Sequence, residues 1–130
     1  MNKTTIKACV AVVDDDDSVC RSLARLLRAS GFQPVTYRSA EAFLEDAQHS
    51  HFDCLMLDIQ LEGMTGFELQ ERLASSGSET PVIFITAVYE SEVYERALGS
   101  GCAAVLRKSD PGEVLLEALR RVAHRSEYQK

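Results

Sequence analysis

The stretch FDCLMLDIQ, residues 52–60, decides how this chain folds. It is an almost wholly apolar run that delivers one carboxylate, Asp58, and the loop LEGMTG at 61–66 follows it directly. A short apolar run bounded by turn residues predicts a strand buried on both faces, as in a parallel sheet. Asp58 would then lie at the carboxyl edge of that sheet, where open α/β folds place their functional sites.

Length and composition limit what the chain can be. Its 130 residues suffice for one domain with a sizeable core, and 45% hydrophobic with 26% charged residues is typical of a soluble globular protein. No apolar run approaches the roughly 20 residues of a membrane helix, and residues 1–5 lead into a strand without a signal-peptide core. We therefore expect a cytoplasmic protein with no membrane contact.

Charge and cysteine usage exclude two further classes of site. A net charge of −6 argues against direct nucleic-acid binding by this domain, since phosphate binding relies on clustered Lys and Arg. The four cysteines are scattered without Cys-x-x-Cys spacing in apolar surroundings, so they are interpreted as buried hydrophobes and not as zinc ligands.

Strand-like and helical patterns alternate along the chain. Besides the opening stretch, β-prone apolar runs lie at 6–13, 33–38, 82–86 and 102–106. Apolar residues at helical spacing fill the intervals and follow the last run. Five strands alternating with five helices predict an α/β fold, a single five-stranded parallel sheet, (βα)5 and doubly wound, because parallel strands require helical crossovers. The domain is predicted at 1–123, with a polar tail or linker start at 124–130.

Local signals predict how several elements begin and where they lie. Asp16 and Asp17 are expected to begin or cap the first helix, and Thr65 with Glu68 has the spacing of a capping box. Asp110, directly before Pro111, is expected to cap the last helix. Pro34 predicts an edge position for the second strand. The helix at 90–98 is more polar than the others, and we expect it to be the least firmly anchored.

Polar residues terminate four of the predicted strands. Asp14 and Asp15 follow the first, Asp58 the third, Thr86 the fourth and Lys108 the fifth. Parallel strands bring these ends to one edge of the sheet. Three carboxylates in close proximity repel one another and need a compensating cation, and carboxylate oxygens suit Mg²⁺. The set also suits phosphoryl transfer to Asp58, which is a nucleophile already ionised at neutral pH, while Thr86 donates its hydroxyl to a phosphoryl oxygen.

Several motifs follow one another along the chain: VDDD at 13–16 with RSL at 21–23, SAEAFL at 39–44, LD at 57–58, GMTGFEL at 63–69, PVIFITA at 81–87, Gly101 and Lys108. Together they resemble the receiver domain of two-component response regulators, which has the flavodoxin or CheY-like fold, and within it the FixJ-like transcription regulators. The order and spacing of the motifs span about residues 7–122.

The resemblance implies a role for each strand-end residue. Asp58 would be the phosphoacceptor. Asp14 and Asp15 would be the acidic pair that positions Mg²⁺ (or Mn²⁺), and Asp58 and the backbone carbonyl of Gln60 would complete the metal ligands. Thr86 would be the switch hydroxyl and Lys108 the phosphate partner.

The resemblance also implies partners and an output. The phosphoryl donor would be a sensor histidine kinase, and phosphorylation would switch the face of the fourth helix, fifth strand and fifth helix, with homodimerisation and transcriptional control as consequences. The chain would not be an enzyme beyond hydrolysing its own acyl phosphate.

Three positions depart from the family pattern. Ser109 stands where a proline usually follows the lysine, so we expect a trans peptide bond there. Val105 occupies the place of an aromatic switch residue, and Glu62 replaces a common proline. These departures keep a second hypothesis open, a phosphorylation-independent pseudo-receiver that works as a protein-interaction module. A third, an aspartyl-phosphate hydrolase, ranks last because it needs an aspartate where Gln60 stands.

Overall fold

A computed structural model of the chain describes residues 7–47, 51–87 and 90–128. Within these ranges five strands alternate with five helices, as predicted. The elements are β1 Cys9–Val13, α1 Asp17–Ala29, β2 Gln33–Tyr37, α2 Ala40–Ala47, β3 Cys54–Asp58, α3 Gly66–Ser75, β4 Val82–Thr86, α4 Ser91–Leu98, β5 Ala104–Arg107 and α5 Gly112–Tyr128.

The strands form one parallel sheet in the order β2-β1-β3-β4-β5. The predicted α/β class and doubly wound sheet are therefore confirmed, and Pro34 lies in an edge strand as expected. From β1 the chain crosses to β2 at one edge of the sheet, then crosses back over β1 to β3 and continues to β4 and β5. This reversal opens a crevice beyond the carboxyl ends of β1 and β3, which is where such sheets bind their ligands.

Strand β3 is buried at every residue, which explains its continuous apolar run. Leu55 and Leu57 belong to the core that α2, α3 and Ala97 of α4 cover, while Cys54 and Met56 belong to the core under α1 and α5. Burial raises the pKa of the Cys54 thiol to about 12. This cysteine is therefore a small buried hydrophobe, as its surroundings in the sequence indicated.

Helices α1 and α3 begin with the capping residues that the sequence predicts. Asp16 caps α1, because its carboxylate accepts hydrogen bonds from the backbone N–H groups of Ser18 and Val19 at 2.9 and 3.3 Å. Thr65 and Glu68 form the predicted capping box at the start of α3. These bonds satisfy helix N–H groups that have no partner within the helix.

Helix α4 has a sparse anchorage. Ala97 is its buried residue, and Glu90 at its N-cap position provides no side-chain cap. A cation–π contact ties α4 to α3, with the Arg96 guanidinium 4.1 Å from the centre of the Phe67 ring. At exposed sites such a contact contributes about 0.5–1 kcal/mol, so it orients α4 without fixing it rigidly.

One prediction near the C-terminus needs correction. Asp110, expected to cap α5, instead closes the turn before it, since its carboxylate accepts a hydrogen bond from the Arg107 N–H at 3.0 Å. Helix α5 continues past residue 123 to Tyr128, because no Gly or Pro interrupts the helical pattern there. The division of the chain at residue 123 stays a prediction. None of the helices in the described ranges is long and apolar enough to cross a membrane.

Gly66 allows α3 to begin directly against the end of β3. An added Cβ at this position would lie 2.3 Å from the Asp58 carbonyl oxygen and 2.9 Å from the Ile59 Cα. Both are backbone atoms that cannot swing aside. The Gly66 N–H also donates to the Ile59 carbonyl at 3.0 Å, so this close approach closes the loop between β3 and α3.

We therefore predict that Gly66→Ala lowers the free energy of unfolding by about 2–4 kcal/mol, because strand and helix must separate to admit the methyl group. Gly31→Ala is the matched control: its φ is +91° but no atom lies within 4 Å of the added Cβ. That variant should lose only about 1 kcal/mol, the cost of a left-handed backbone. Urea unfolding measures both, and equal losses would contradict the steric explanation.

Candidate functional site

Three of the predicted site residues meet in the crevice beyond β1 and β3. Asp14 follows β1, Asp58 ends β3, and Lys108 follows β5. The Lys108 Nζ lies 2.9 Å from Asp14 Oδ2 and 3.0 Å from Asp58 Oδ2, and so bridges the two carboxylates. The predicted convergence of strand ends is therefore confirmed for these three side chains.

The backbone orients the Asp14 carboxylate from both sides. Its own N–H donates to the Tyr37 carbonyl at the end of β2 at 3.0 Å, which continues the pairing of the two strands. Its Oδ1 accepts the Asp16 N–H at 2.9 Å, leaving Oδ2 for Lys108. Asp14 is only 2% exposed, so its position is set by these contacts and not by solvent.

Asp58 is 5% exposed and points into the same crevice. Its Oδ1 accepts the Gln60 N–H at 3.1 Å. Burial raises the pKa of the Asp58 carboxyl, and the neighbouring Asp14 adds to this, while the hydrogen bond from Lys108 acts in the opposite direction. The surroundings of Asp58 therefore compensate the negative charge of its ionised carboxylate only in part.

Lys108 supplies the positive charge of the site. Burial disfavours the ammonium, but the hydrogen bonds to Asp14 and Asp58 and the negative charges of these two carboxylates together outweigh this effect and raise the pKa of the lysine. Its backbone N–H donates to the Thr86 carbonyl at 2.9 Å, which places the start of the β5–α5 loop beside the end of β4. The lysine therefore remains charged at neutral pH.

Asp15 completes an acidic triad with Asp14 and Asp58. One oxygen from each of these carboxylates lies within 4.8 Å of the others, although Asp15 itself is exposed. Three carboxylates against one ammonium leave two negative charges, which a divalent cation would balance. The all-oxygen donor set fits Mg²⁺ or Mn²⁺ better than a soft metal.

The remaining predicted residues lie around this cluster. Thr86 ends β4 with 1% exposure, one position beyond the Ile85 that pairs with Asp58. Gln60 contacts the site through its backbone, as described above. Val105 in β5 is half-buried. No cis peptide bond occurs among the described residues, which confirms the trans bond expected before Ser109.

The raised pKa of Asp58 predicts a stability effect in metal-free buffer. The folded state holds the Asp58 proton more tightly than the unfolded state does, so ionisation costs stability as the pH rises above the ordinary value of 3.8. Asp58→Asn should therefore raise the melting temperature at pH 7 by about 3–5 °C, which corresponds to ~1 kcal/mol in a domain of this size. The gain should shrink as the pH falls toward 3.8.

Glu79→Gln removes one exposed charge outside the site and serves as the control. It should leave the melting temperature within about 1 °C, since isolated surface charges contribute little. A melting temperature of Asp58→Asn that equals or falls below that of the wild type at pH 7 would contradict the explanation by burial.

Comparison with known proteins agrees with this geometry. The family model described as the response regulator receiver domain matches residues 10–120. Nodulation protein W of Bradyrhizobium diazoefficiens is 35% identical over 117 residues, which cover 90% of this chain and 52% of that protein. The transcriptional regulatory protein FixJ of Azorhizobium caulinodans is 33% identical over 120 residues, covering 92% and 57% respectively.

Among solved structures, the Vibrio cholerae chemotaxis protein CheY4 superposes with a TM-score of 0.80 at 29% identity, covering 90% of this chain and 99% of that one. The chain spans about half the length of the curated relatives it matches. The family match and the site cluster concern the same part of the sequence, because residues 10–120 contain all of the site residues: Asp14, Asp15, Asp58, Thr86 and Lys108. The chain therefore belongs to the response regulator receiver domain family, with a CheY-like fold.

Proposed function

We propose that this receiver domain accepts a phosphoryl group on Asp58 from a sensor histidine kinase of a two-component system. The observation that carries the proposal is the Lys108 ammonium, which lies within 3.0 Å of the Asp58 carboxylate while also contacting Asp14. A carboxylate nucleophile beside a fixed cation is what transfer of a highly charged group requires.

The transfer balances without any further reactant. An Asp58 carboxylate oxygen attacks the phosphorus of a phosphohistidine, a P–O bond forms, the P–N bond breaks, and the leaving imidazole takes up a proton from water. Lys108 neutralises charge on the phosphoryl oxygens. Asp58 Oδ1 is held by the Gln60 N–H, and this bond orients the nucleophile.

A divalent cation fits the donor set and would be held by the carboxylates of Asp14, Asp15 and Asp58 with the backbone carbonyl of Gln60. Mg²⁺ is the expected ion and Mn²⁺ the alternative, and either would supply charge neutralisation of the phosphoryl oxygens. Asp14 is pre-oriented for this role by the Asp16 N–H.

The signal would leave the site through Thr86 and Lys108. The Thr86 hydroxyl would donate to a phosphoryl oxygen, which favours one of two arrangements of the face built from α4, β5 and α5. The sparse anchorage of α4 supports this step, since a helix with a single buried residue can be repositioned at low cost. Homodimerisation through that face would follow phosphorylation.

The similarity to the transcriptional regulatory protein FixJ supports a transcriptional output, and we propose that it is exerted in the cytoplasm. The domain would not contact DNA itself, in agreement with its net charge of −6. Nor would it act as an enzyme beyond hydrolysing its own acyl phosphate.

A second candidate function is a pseudo-receiver that binds its partner without phosphorylation. Val105 favours it, because a valine in β5 cannot move between buried and exposed positions as an aromatic side chain does. The complete acidic triad with Lys108 favours the first candidate, and we rank it higher for that reason.

Phosphorylation provides the decisive test. Incubation with acetyl phosphate and Mg²⁺ should add one phosphoryl group to the wild type and none to Asp58→Asn, because an amide is not a nucleophile of this kind. Intact-protein mass spectrometry measures the label, and its loss in hydroxylamine identifies an acyl phosphate.

Asp53→Asn is the matched control at the opposite end of β3. Its amide oxygen can still accept the Cys9 N–H that Asp53 binds at 2.8 Å. This variant should be labelled like the wild type. Equal labelling of wild type and Asp58→Asn would remove Asp58 as acceptor, and unlabelled wild type with intact partner binding would favour the pseudo-receiver.

Replacing Thr86 separates labelling from switching. Thr86→Val keeps the shape of the buried side chain but removes the hydroxyl. We expect the rate of labelling to change by less than about threefold, since Lys108 remains, while the change in hydrogen exchange of α4 on phosphorylation is lost. An α4 response as large as that of the wild type would show that Thr86 does not carry the signal.

A further inference from the structure

The loop between β3 and α3, residues 59–65, is held from another element of the fold. Glu41 in the first turn of α2 reaches across, and its Oε2 accepts the Met64 backbone N–H at 3.0 Å. This hydrogen bond lowers the pKa of the Glu41 carboxyl below its ordinary value. The glutamate is therefore ionised, and the bond is charge-assisted over the whole neutral range.

The backbone conformation of Gly63 leaves room for this contact. Its φ is +76°, a left-handed conformation that favours glycine, and an added Cβ would lie 2.9 Å from Glu41 Oε2. The loop thus leaves open the space that the carboxylate fills. The conformation of Gly63 and the reach of Glu41 are two independent features that agree.

The loop carries backbone groups of the candidate site. It begins directly after Asp58, and the Gln60 N–H in it donates to the Asp58 carboxylate. Its far end is closed by the Gly66 N–H on the Ile59 carbonyl. The Glu41 contact at Met64 lies between these points, where the chain turns away from the sheet edge. A change at Glu41 would therefore alter the path of the segment that orients Asp58.

We propose that Glu41 is a positioning residue for the phosphoacceptor site. By holding the Met64 N–H it fixes the 59–65 loop, and through Gln60 it sets both the affinity for the divalent cation and the rate at which Asp58 is phosphorylated. The proposal rests on the function proposed above. A simpler role is also open to Glu41, since an acid in the first turn of a helix stabilises that helix through its dipole.

Three variants separate these roles. Glu41→Ala removes the acceptor, Glu41→Gln keeps an acceptor oxygen without the charge, and Glu45→Ala removes an exposed carboxylate one turn further along α2. The readouts are hydrogen exchange of the Met64 amide by nuclear magnetic resonance, Mg²⁺ affinity by titration calorimetry, labelling rate with acetyl phosphate, and melting temperature.

We expect exchange of the Met64 amide in Glu41→Ala to be at least about tenfold faster, as the loss of a charge-assisted bond implies. Mg²⁺ affinity and labelling rate should each fall by about three- to tenfold, in keeping with a displaced ligand group. Glu41→Gln should recover most of each loss. Glu45→Ala should match the wild type.

Two results with the variants, and one with the wild type, would overturn the proposal. The two results with the variants are as follows. One is faster Met64 exchange in Glu41→Ala with unchanged Mg²⁺ affinity and labelling, which would mean that the loop need not be held. The other is an equal fall in melting temperature for Glu41→Ala and Glu41→Gln with both site readouts unchanged, which would leave only the dipole effect. An unprotected Met64 amide in the wild type would also remove the basis of the proposal.

Failure of the proposed function can be told apart from failure of this inference. If the wild type binds Mg²⁺ but is never labelled, phosphorylation is wrong, and weaker Mg²⁺ binding by Glu41→Ala still supports Glu41 as a positioning residue. If the wild type neither binds Mg²⁺ nor is labelled, both proposals fall. Normal labelling of the wild type with unaltered labelling and Mg²⁺ binding in Glu41→Ala rejects the role of Glu41 alone.

Discussion

The Lys108 ammonium between Asp14 and Asp58 is the interaction on which the rest of the structure depends. Two nearly buried carboxylates at 2% and 5% exposure would repel each other strongly without it. The lysine reaches both because the β5–α5 loop begins beside the end of β4, where the Lys108 N–H meets the Thr86 carbonyl. The polar cluster therefore requires that β1, β3 and β5 end at one edge, and the parallel sheet meets this requirement.

The order of the strands then decides where the cluster can form. β1 and β3 are neighbours at the point where the chain reverses direction across the sheet, so their ends border an open crevice not covered by a crossover helix. Strand β3 can carry a carboxylate there because its other side chains are divided between two apolar cores. The position of β3 inside the sheet therefore explains both its apolar run and the carboxylate at its end.

The sequence was sufficient for features that depend on local pattern and on the direction of strands. The burial of β3, the capping by Asp16 and the meeting of Asp58 with Lys108 all follow from periodicity, helix-start signals and parallel topology. Contacts between separate helices and loops were not predicted. The contact of Glu41 is one of these, because its bond to Met64 depends on how α2 packs beside a loop 23 residues away.

The start of α3 is where loop, site and fourth helix come together. Gly66 lies against the Asp58 backbone, and the next residue, Phe67, carries the Arg96 guanidinium of α4 on its ring. That contact contributes only about 0.5–1 kcal/mol, whereas a phosphoryl group can form one to three charge-assisted hydrogen bonds. If Asp58 is phosphorylated as proposed, such bonds, including the one from the Thr86 hydroxyl, would outweigh the Phe67–Arg96 contact, even with Val105 in place of an aromatic switch residue.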